Sequence, residues 1–177
     1  MASTTIATPR MAEGAPYKRA QADAWLDAEN LLRGLQRYNR AANLWAFGKA
    51  IHTALGAFVQ VEQVYAYGDF HILARIFRCN VERELRGMNI RTVHLTNRQG
   101  KNTADMEIAC AIVQRISAAR PPQSIVIGAG DRDFCPVVKT AHRQGIQVVV
   151  LTFANSISRD LATVADRVVF LEPHLPV

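Results

Sequence analysis

The chain has 177 residues and a formal net charge of +6, with 49% hydrophobic and 20% charged residues. This length and composition are typical of one folded domain with a substantial core. No apolar run reaches the roughly 18 residues that cross a bilayer, and the first twenty residues lack the apolar segment of a secretory signal. We therefore predict a cytoplasmic protein with no membrane contact, and the positive charge favours an anionic partner such as nucleic acid.

The composition divides the chain into three segments. Residues 1–20 are rich in Ala, Thr and Pro, and we predict a disordered N-terminal tail there. The alternative, a mitochondrial transit peptide, is disfavoured because only three basic residues are spread over this segment. Residues 21–172 carry the regular apolar patterning and are predicted to form a single domain, followed by a short tail at 173–177.

Apolar runs and helical periodicities alternate along the domain. Ile108, Ile112 and Ile116 recur at the four-residue spacing of one helix face, whereas Gln147–Leu151 reads as a β-branched strand. Strands alternating with helices of this length predict an α/β fold with a mostly parallel central sheet and helices on both faces. In chain order the predicted elements are strand 24–26, helix 44–59, strand 63–67, helix 71–86, strand 91–95, helix 104–118, strand 125–127, helix 134–144, strand 147–151, helix 158–164 and strand 167–171.

Two glycines indicate helix ends. Gly87 and Gly145 follow helical segments and precede apolar strand-like residues. Glycine is favoured just beyond a helix because it enters the left-handed backbone region without a Cβ penalty. We therefore expect both residues to be helix C-caps.

The cysteines and tryptophans suggest core positions. Cys79, Cys110 and Cys135 all fall in segments read as helical and show no CxxC spacing. An odd number of cysteines without that spacing favours buried free thiols in a reducing compartment over disulfides or a zinc site. Trp25 and Trp45 are likewise expected in the core.

Aspartates follow several of the predicted strands. Residues 124–134 read SIVIGAGDRDF, an apolar strand followed by Asp131 and Asp133, and Asp27 and Asp69 follow the first two strands. Asp105 falls in the first turn of its helix, on the core-facing side. Because the carboxyl ends of parallel strands meet at one edge of a sheet, five of the eight aspartates should converge on one cleft.

Carboxylates brought so close together repel one another unless a cation compensates them. Oxygen ligands suit Mg²⁺ or Mn²⁺, which bridge to substrate phosphates and neutralise charge on a phosphoryl group. Each acid also has a simpler explanation. Asp105 could complement the helix macrodipole, Asp131 or Asp133 could cap the next helix, and Asp27 and Asp69 could be turn residues.

Other chemistries fit the sequence less well. GAGDRDF begins like a dinucleotide fingerprint, but Phe134 replaces the third glycine and the two carboxylates would repel a pyrophosphate. The sequence has no GxxxxGK[ST] phosphate loop, no GxSxG elbow and no HxxxH or HExxH spacing. The first strand also lacks the DxD of an aspartyl phosphatase, since LDAEN offers only Asp27 and Glu29.

Five motifs in order resemble the NYN domain, a branch of the PIN-like nuclease superfamily that includes LabA-like bacterial proteins. The motifs are WLDAEN, YAYGDF, KNTADMEIACAI, GAGDRDFCPVVKTAHRQGIQVVVL and SRDLATVADRVVFLEP, and together they extend over about residues 21–172. The resemblance implies a PIN-like, Rossmann-like three-layer sandwich. It also implies an acidic cleft that holds Mg²⁺ or Mn²⁺ and cleaves RNA to products with 5′-phosphate and 3′-hydroxyl ends.

The resemblance also implies a set of site residues. Asp27, Asp105, Asp131 and Asp133 match the acids expected to hold the metal and to be catalytic. Asn30 lies beside the first acid and Asp69 follows the second strand, and we assign both to substrate binding.

Two positions depart from the family pattern. The KNxAD helix commonly carries a second aspartate where this chain has Ala111, and GDSDF has become GDRDF, which introduces Arg132. The alternatives to a ribonuclease are therefore a catalytically weak or inactive RNA-binding or regulatory module on the same fold, and a protein-interaction adaptor. A homo-oligomer is compatible with either.

Basic, polar and aromatic residues near the motifs are candidates to bind single-stranded RNA. Phosphate contacts fix the register of a strand, and aromatic side chains stack on bases. The candidates are Arg98, Lys101, Asn102 and Arg132 for the substrate, Arg33, Arg37 and Arg40 as further cations, and Tyr38 and Phe70 for stacking.

Overall fold

The structure is a computed structural model that describes residues 20–39, 43–95 and 103–175. These residues form a six-stranded sheet in which every neighbouring pair is parallel, with strand order β3-β2-β1-β4-β5-β6. The strands are β1 (Ala20–Asp27), β2 (Val59–Gly68), β3 (Arg91–His94), β4 (Ser124–Gly128), β5 (Gln147–Thr152) and β6 (Arg167–Phe170).

The chain starts in the middle of the sheet and fills it in two directions. It runs from β1 through β2 to the edge strand β3, then returns to β4 beside β1 and continues to β6. In this order the strand sequence reverses between β1 and β4, which is where open α/β sheets bind ligands. Leu26 pairs with Gly128, so the carboxyl ends of β1 and β4 lie side by side.

Helices cover both faces of the sheet and complete a three-layer sandwich. Alternate side chains of a strand point to opposite faces, and β4 shows this, since Val126 packs with one core cluster and Ile125 and Ile127 with the other. The first cluster lies under helices α1 to α4 and the second under α5 to α7. The helices are α1 (Ala28–Tyr38), α2 (Leu44–Gly56), α3 (Phe70–Phe77), α4 (Val81–Gly87), α5 (Thr103–Ile116), α6 (Cys135–Arg143) and α7 (Arg159–Val164).

The α/β prediction and all six strand positions are confirmed, but two helix assignments were wrong. The pattern analysis missed α1 entirely, although Leu31, Leu32 and Leu35 of that helix are fully buried. The helix predicted at 71–86 is two helices, because Arg78 adopts a left-handed backbone with φ of 53° and the Asn80 side chain caps α4.

Of the two helix C-caps predicted at glycine, one is confirmed and one is wrong. Gly145 has a positive φ of 72° and ends α6 as expected. Gly87 does not fill the corresponding position after α4. Asn89, with φ of 59°, takes the left-handed backbone there instead, a conformation that asparagine tolerates better than most residues.

Several expected core residues lie at the surface. Trp25 is buried, but Trp45 is 62% exposed on α2, with the Lys49 ammonium group 5.2 Å from its ring centroid. Cys79 and Cys110 are exposed and Cys135 is half-buried, so the prediction of buried thiols was wrong. Cys79 also lies between α3 and α4 rather than within a helix.

The division into tails and domain stays a prediction. Residues 1–19, 176 and 177 lie outside the part of the chain that the structure describes. Among the described helices, none combines the length and apolar character that crossing a bilayer requires.

The turn after β4 is held close to the loop that follows β5. The backbone N–H of Ser158 donates to the Gly130 carbonyl oxygen at 2.8 Å, and a Cβ on Gly130 would overlap the Ser156 carbonyl group. Because both groups are backbone, neither can move aside as a flexible side chain would. Only glycine therefore fits at position 130.

Gly130→Ala should lower the free energy of unfolding by about 1–3 kcal/mol, the usual effect of inserting a methyl group into closed space. Gly56→Ala is the matched control, since a Cβ there meets no atom within 4 Å. It should be neutral, or stabilising by up to about 1 kcal/mol. Urea unfolding of both variants measures the difference, and equal effects would show that Gly130 is not sterically required.

Candidate metal centre

Three carboxylates from separate elements meet at the edge where β1 and β4 end. Asp27 ends β1, Asp105 lies in the first turn of α5, and Asp131 follows β4. Each offers one oxygen, and the three oxygens all lie within 4.8 Å of one another. The strand order therefore brings together residues that lie far apart in the sequence.

Asp27 is both a helix cap and a member of this cluster. Its Oδ1 accepts a hydrogen bond from the backbone N–H of Asn30 at 2.9 Å, which caps α1. The cap accounts for one oxygen of a side chain that has two acceptor atoms. Capping is therefore compatible with Asp27 also holding an ion.

Asn30 fixes the position of Asp131. Its Nδ2 donates to Asp131 Oδ2 at 2.8 Å, and its Oδ1 accepts from the Gly130 backbone N–H at 3.2 Å. Asp131 itself makes no capping bond to the turn that follows it, and Phe134, not Asp133, occupies the N-cap position of α6. The helix-cap explanation of Asp131 and Asp133 is therefore wrong.

Asp105 carries a buried oxygen that has no hydrogen-bond partner among the described residues. That atom is Oδ1. The carboxyl group also lies close enough to Asp27 for that side chain to lower its pKa. A buried acceptor without a partner costs roughly 1–3 kcal/mol. Macrodipole complementation leaves this orphaned oxygen unexplained, whereas a cation among the three carboxylates would satisfy it.

The cluster raises the proton affinity of its members. Burial raises the pKa of Asp27 to about 7, opposed by the Asn30 N–H and reinforced by the charges of Asp105, Glu29 and Asp131. Burial likewise raises the pKa of Asp105, with added repulsion from Asp131 and Asp133. Carboxyl groups hold their protons in this way when no positive charge compensates them.

A further buried aspartate, unlike those of the cluster, has its charge compensated by a cation of the protein itself. Asp23, four residues before Asp27 in β1, accepts a hydrogen bond from Arg115 Nε on its Oδ2 at 2.7 Å. Its Oδ1, like that of Asp105, has no partner among the described residues. Within the described ranges, no Lys, Arg or His forms an ion pair with Asp27, Asp105 or Asp131. The residues present therefore fit a hard divalent cation bound by oxygen ligands.

Comparison with known proteins agrees with this architecture. The family model of the NYN domain matches residues 24–172, which is most of the chain. The chain belongs to the NYN domain family. NYN domains are part of the PIN-like nuclease superfamily, and the match confirms the resemblance found in the sequence.

Individual proteins similar to this NYN domain share its fold and indicate no function. No curated protein is a significant match. A solved structure of a protein of unknown function from Vibrio parahaemolyticus is similar with a TM-score of 0.66 and 17% identity, covering 93% of this chain and 100% of that one. At that identity the likeness shows the shared fold alone.

Two of the predicted acids lie outside the three-carboxylate cluster of this NYN domain. Asp133 is exposed, yet it is near enough to Asp105 to raise the pKa of that carboxyl group. Asp69 caps α3, where its Oδ1 accepts from the backbone N–H groups of His71 and Ile72 at 3.0 and 3.1 Å. Their catalytic and substrate-binding roles stay predictions.

The predicted substrate contacts have mixed outcomes. Phe70 is 3% exposed, so its assignment to base stacking was wrong, whereas Tyr38 is 49% exposed. Arg33 pairs with Glu29 at 3.3 Å on α1, and Arg37 and Arg132 are exposed. The remaining candidates, Arg40, Arg98, Lys101 and Asn102, lie outside the described residues.

The sequence analysis did not select two cations near the centre. Lys139 on α6 and Arg159 on α7 line a groove that also includes Asp105. Lys139 and Arg159 both lie within quoted family motifs, but the resemblance assigned no role to either residue. Their proximity depends on how α6 and α7 pack on the same face of the sheet.

Asp27→Asn should stabilise the metal-free protein at alkaline pH. The folded protein holds the Asp27 proton up to about pH 7, whereas an unfolded chain releases it near pH 4. Stability therefore falls as pH rises between these values. The variant, which keeps an acceptor for Asn30, should gain at most about 4 kcal/mol at about pH 8 and nothing near pH 4.

Urea unfolding in EDTA at several pH values measures this effect. Glu62→Gln, which removes an exposed charge from β2, is the control and should change stability little at any pH. A stability difference between wild type and Asp27→Asn that is independent of pH would contradict the assignment of a raised pKa to Asp27.

Proposed function

We propose that this NYN domain is a metal-dependent ribonuclease that hydrolyses phosphodiester bonds of RNA. The observation that carries the proposal is the unpartnered buried Oδ1 of Asp105 within three uncompensated carboxylates. The NYN family assignment supports phosphodiester hydrolysis as the chemistry, and the net charge of +6 suits a polyanionic substrate.

Asp27, Asp105 and Asp131 would hold a Mg²⁺ or Mn²⁺ ion. When bound, such an ion lowers the pKa of water and supplies positive charge to a reacting phosphoryl group. The protein's own part is to position the three carboxylates. Asn30 orients Asp131 through its Nδ2, and the cap bond from the Asn30 backbone fixes Asp27.

The differing exposure of the carboxylates suits a site that must receive a large substrate. Asp27 is 7% exposed and Asp105 is half-buried, while Asp131 is exposed. The cluster thus has a buried side within the fold and an open side toward solvent. A phosphodiester of single-stranded RNA would approach from the Asp131 side.

A second candidate is an RNA-binding module with weak or no turnover. Ala111, which stands where the family often has a second aspartate, packs partly buried against the core under α5 to α7. The centre therefore has one acid fewer than the family pattern. This difference favours weaker activity but leaves the three-carboxylate cluster intact.

Cleavage of a labelled single-stranded RNA tests the proposal. Wild type should cut in Mn²⁺ and not in EDTA. Asp131→Asn should lose more than about 100-fold in rate, since removing a ligand should exceed the loss typical of an outer-shell partner. Glu62→Gln removes one exposed carboxylate far from the centre and should retain the wild-type rate.

The alternative outcomes separate the two candidates. RNA binding without metal-dependent cutting would identify the binding module instead of the nuclease. Metal-dependent cutting that survives Asp131→Asn would show that the three-carboxylate cluster is not the active site.

A further inference from the structure

A groove on the α5–α7 side of the sheet opens onto the metal centre. It has a volume of about 780 Å³ and lies between α5, the start of α6, and α7. Asp105 lines both the groove and the centre. Pockets of about 300–1,000 Å³ hold small ligands, so the groove has room for a nucleotide beside the reacting phosphate.

Three exposed cations line this groove without anionic partners. They are Arg132 in the turn after β4, Lys139 on α6 and Arg159 on α7. In the part of the chain that the structure describes, none of the three is within 4.0 Å of a carboxylate oxygen. Being unpaired is not peculiar to the groove, since Lys49 and Arg75 on the other face of the sheet form no ion pair among the described residues either.

The groove also contains acids, and their placement limits where phosphates can lie. Asp133 and Asp160 line it together with Asp105. An ion at the centre would offset the charge of Asp105 and the nearby Asp133. The three cations come from three separate elements that line the same groove.

Apart from Thr163 and Cys135, the rest of the lining is apolar. Met106 on α5 is 65% exposed, and it lines the groove together with Ala109, Pro136 and Val164. An unbranched thioether is flexible and polarisable, and it contacts aromatic faces favourably. Unstacked bases of a single strand present such faces, whereas bases within a duplex do not.

We propose that this groove binds the single-stranded RNA segment adjoining the cleaved phosphate. Arg132, Lys139 and Arg159 contact its phosphates, and the Met106 side chain contacts a base. The proposal rests on the function proposed above, since it assigns the substrate path of the same centre. It makes Lys139 and Arg159 binding residues, a role that the motifs containing them did not indicate.

Salt-dependent binding tests the phosphate contacts. Affinity for a short fluorescein-labelled single-stranded RNA is measured by anisotropy in EDTA over a series of KCl concentrations. Two lost phosphate contacts should weaken binding about tenfold and reduce the slope of log K against log[salt] by about 1.4, at about 0.7 per contact. The Lys139→Gln/Arg159→Gln double variant should show both effects.

A matched double variant controls for net charge. Lys49→Gln/Arg75→Gln removes the same charges from α2 and α3, on the opposite face of the sheet. Its salt slope should equal that of wild type. Equal slopes for the two double variants would overturn the groove assignment.

A third variant tests the base contact. Met106→Ala should lower affinity without changing the salt slope, because an apolar contact releases no counterions. Its high exposure means that the substitution removes no core packing. Unchanged affinity would overturn the assignment of Met106 to a base.

The outcomes also distinguish this proposal from the ribonuclease proposal. If the wild type cuts RNA and the Lys139→Gln/Arg159→Gln variant binds RNA as tightly as the wild type, the ribonuclease proposal stands and the groove proposal is overturned. If the wild type does not cut RNA in Mn²⁺ and the Lys139→Gln/Arg159→Gln variant shows the reduced salt slope, the groove proposal stands and the ribonuclease proposal is overturned.

Discussion

Electrostatic repulsion among Asp27, Asp105 and Asp131 is the constraint around which this end of the molecule is organised. A parallel sheet that reverses its strand order between β1 and β4 brings the ends of these strands together, and α5 adds a third acid from above one face. The protein supplies no cation to this cluster among the described residues, although it pairs the buried Asp23 with Arg115. The fold thus brings three carboxylates together at a point where a bound cation would neutralise their charge.

The neighbouring backbone is adapted to hold the acids in place. Asn30 connects α1 to the turn after β4 through both ends of its amide group, and Gly130 lets the loop after β5 pack directly on that turn. The same turn then delivers Arg132 to the groove under α7. The three-carboxylate cluster and the groove therefore share this turn, which links the proposed ion site to the path proposed for RNA.

The sequence predicted the fold class and the convergence of five aspartates, of which Asp27, Asp105 and Asp131 form the cluster while Asp69 and Asp133 lie outside it. What it predicted correctly follows from local patterns. Apolar runs locate strands, and parallel strands place their carboxyl ends at one edge. The sequence did not predict the break between α3 and α4, because Arg78 takes a left-handed backbone that its residue type does not indicate. Nor did it predict the exposure of Trp45 or the approach of Lys139 and Arg159, because these depend on how helices pack on the finished sheet.

Anomalous diffraction from crystals grown with Mn²⁺ tests the central claim most directly, because it locates the ion independently of any activity. The account predicts a Mn²⁺ peak bound by oxygens of Asp27, Asp105 and Asp131, with Asp105 Oδ1 no longer without a partner. Mn²⁺ bound only elsewhere, with no ion among Asp27, Asp105 and Asp131, would contradict it.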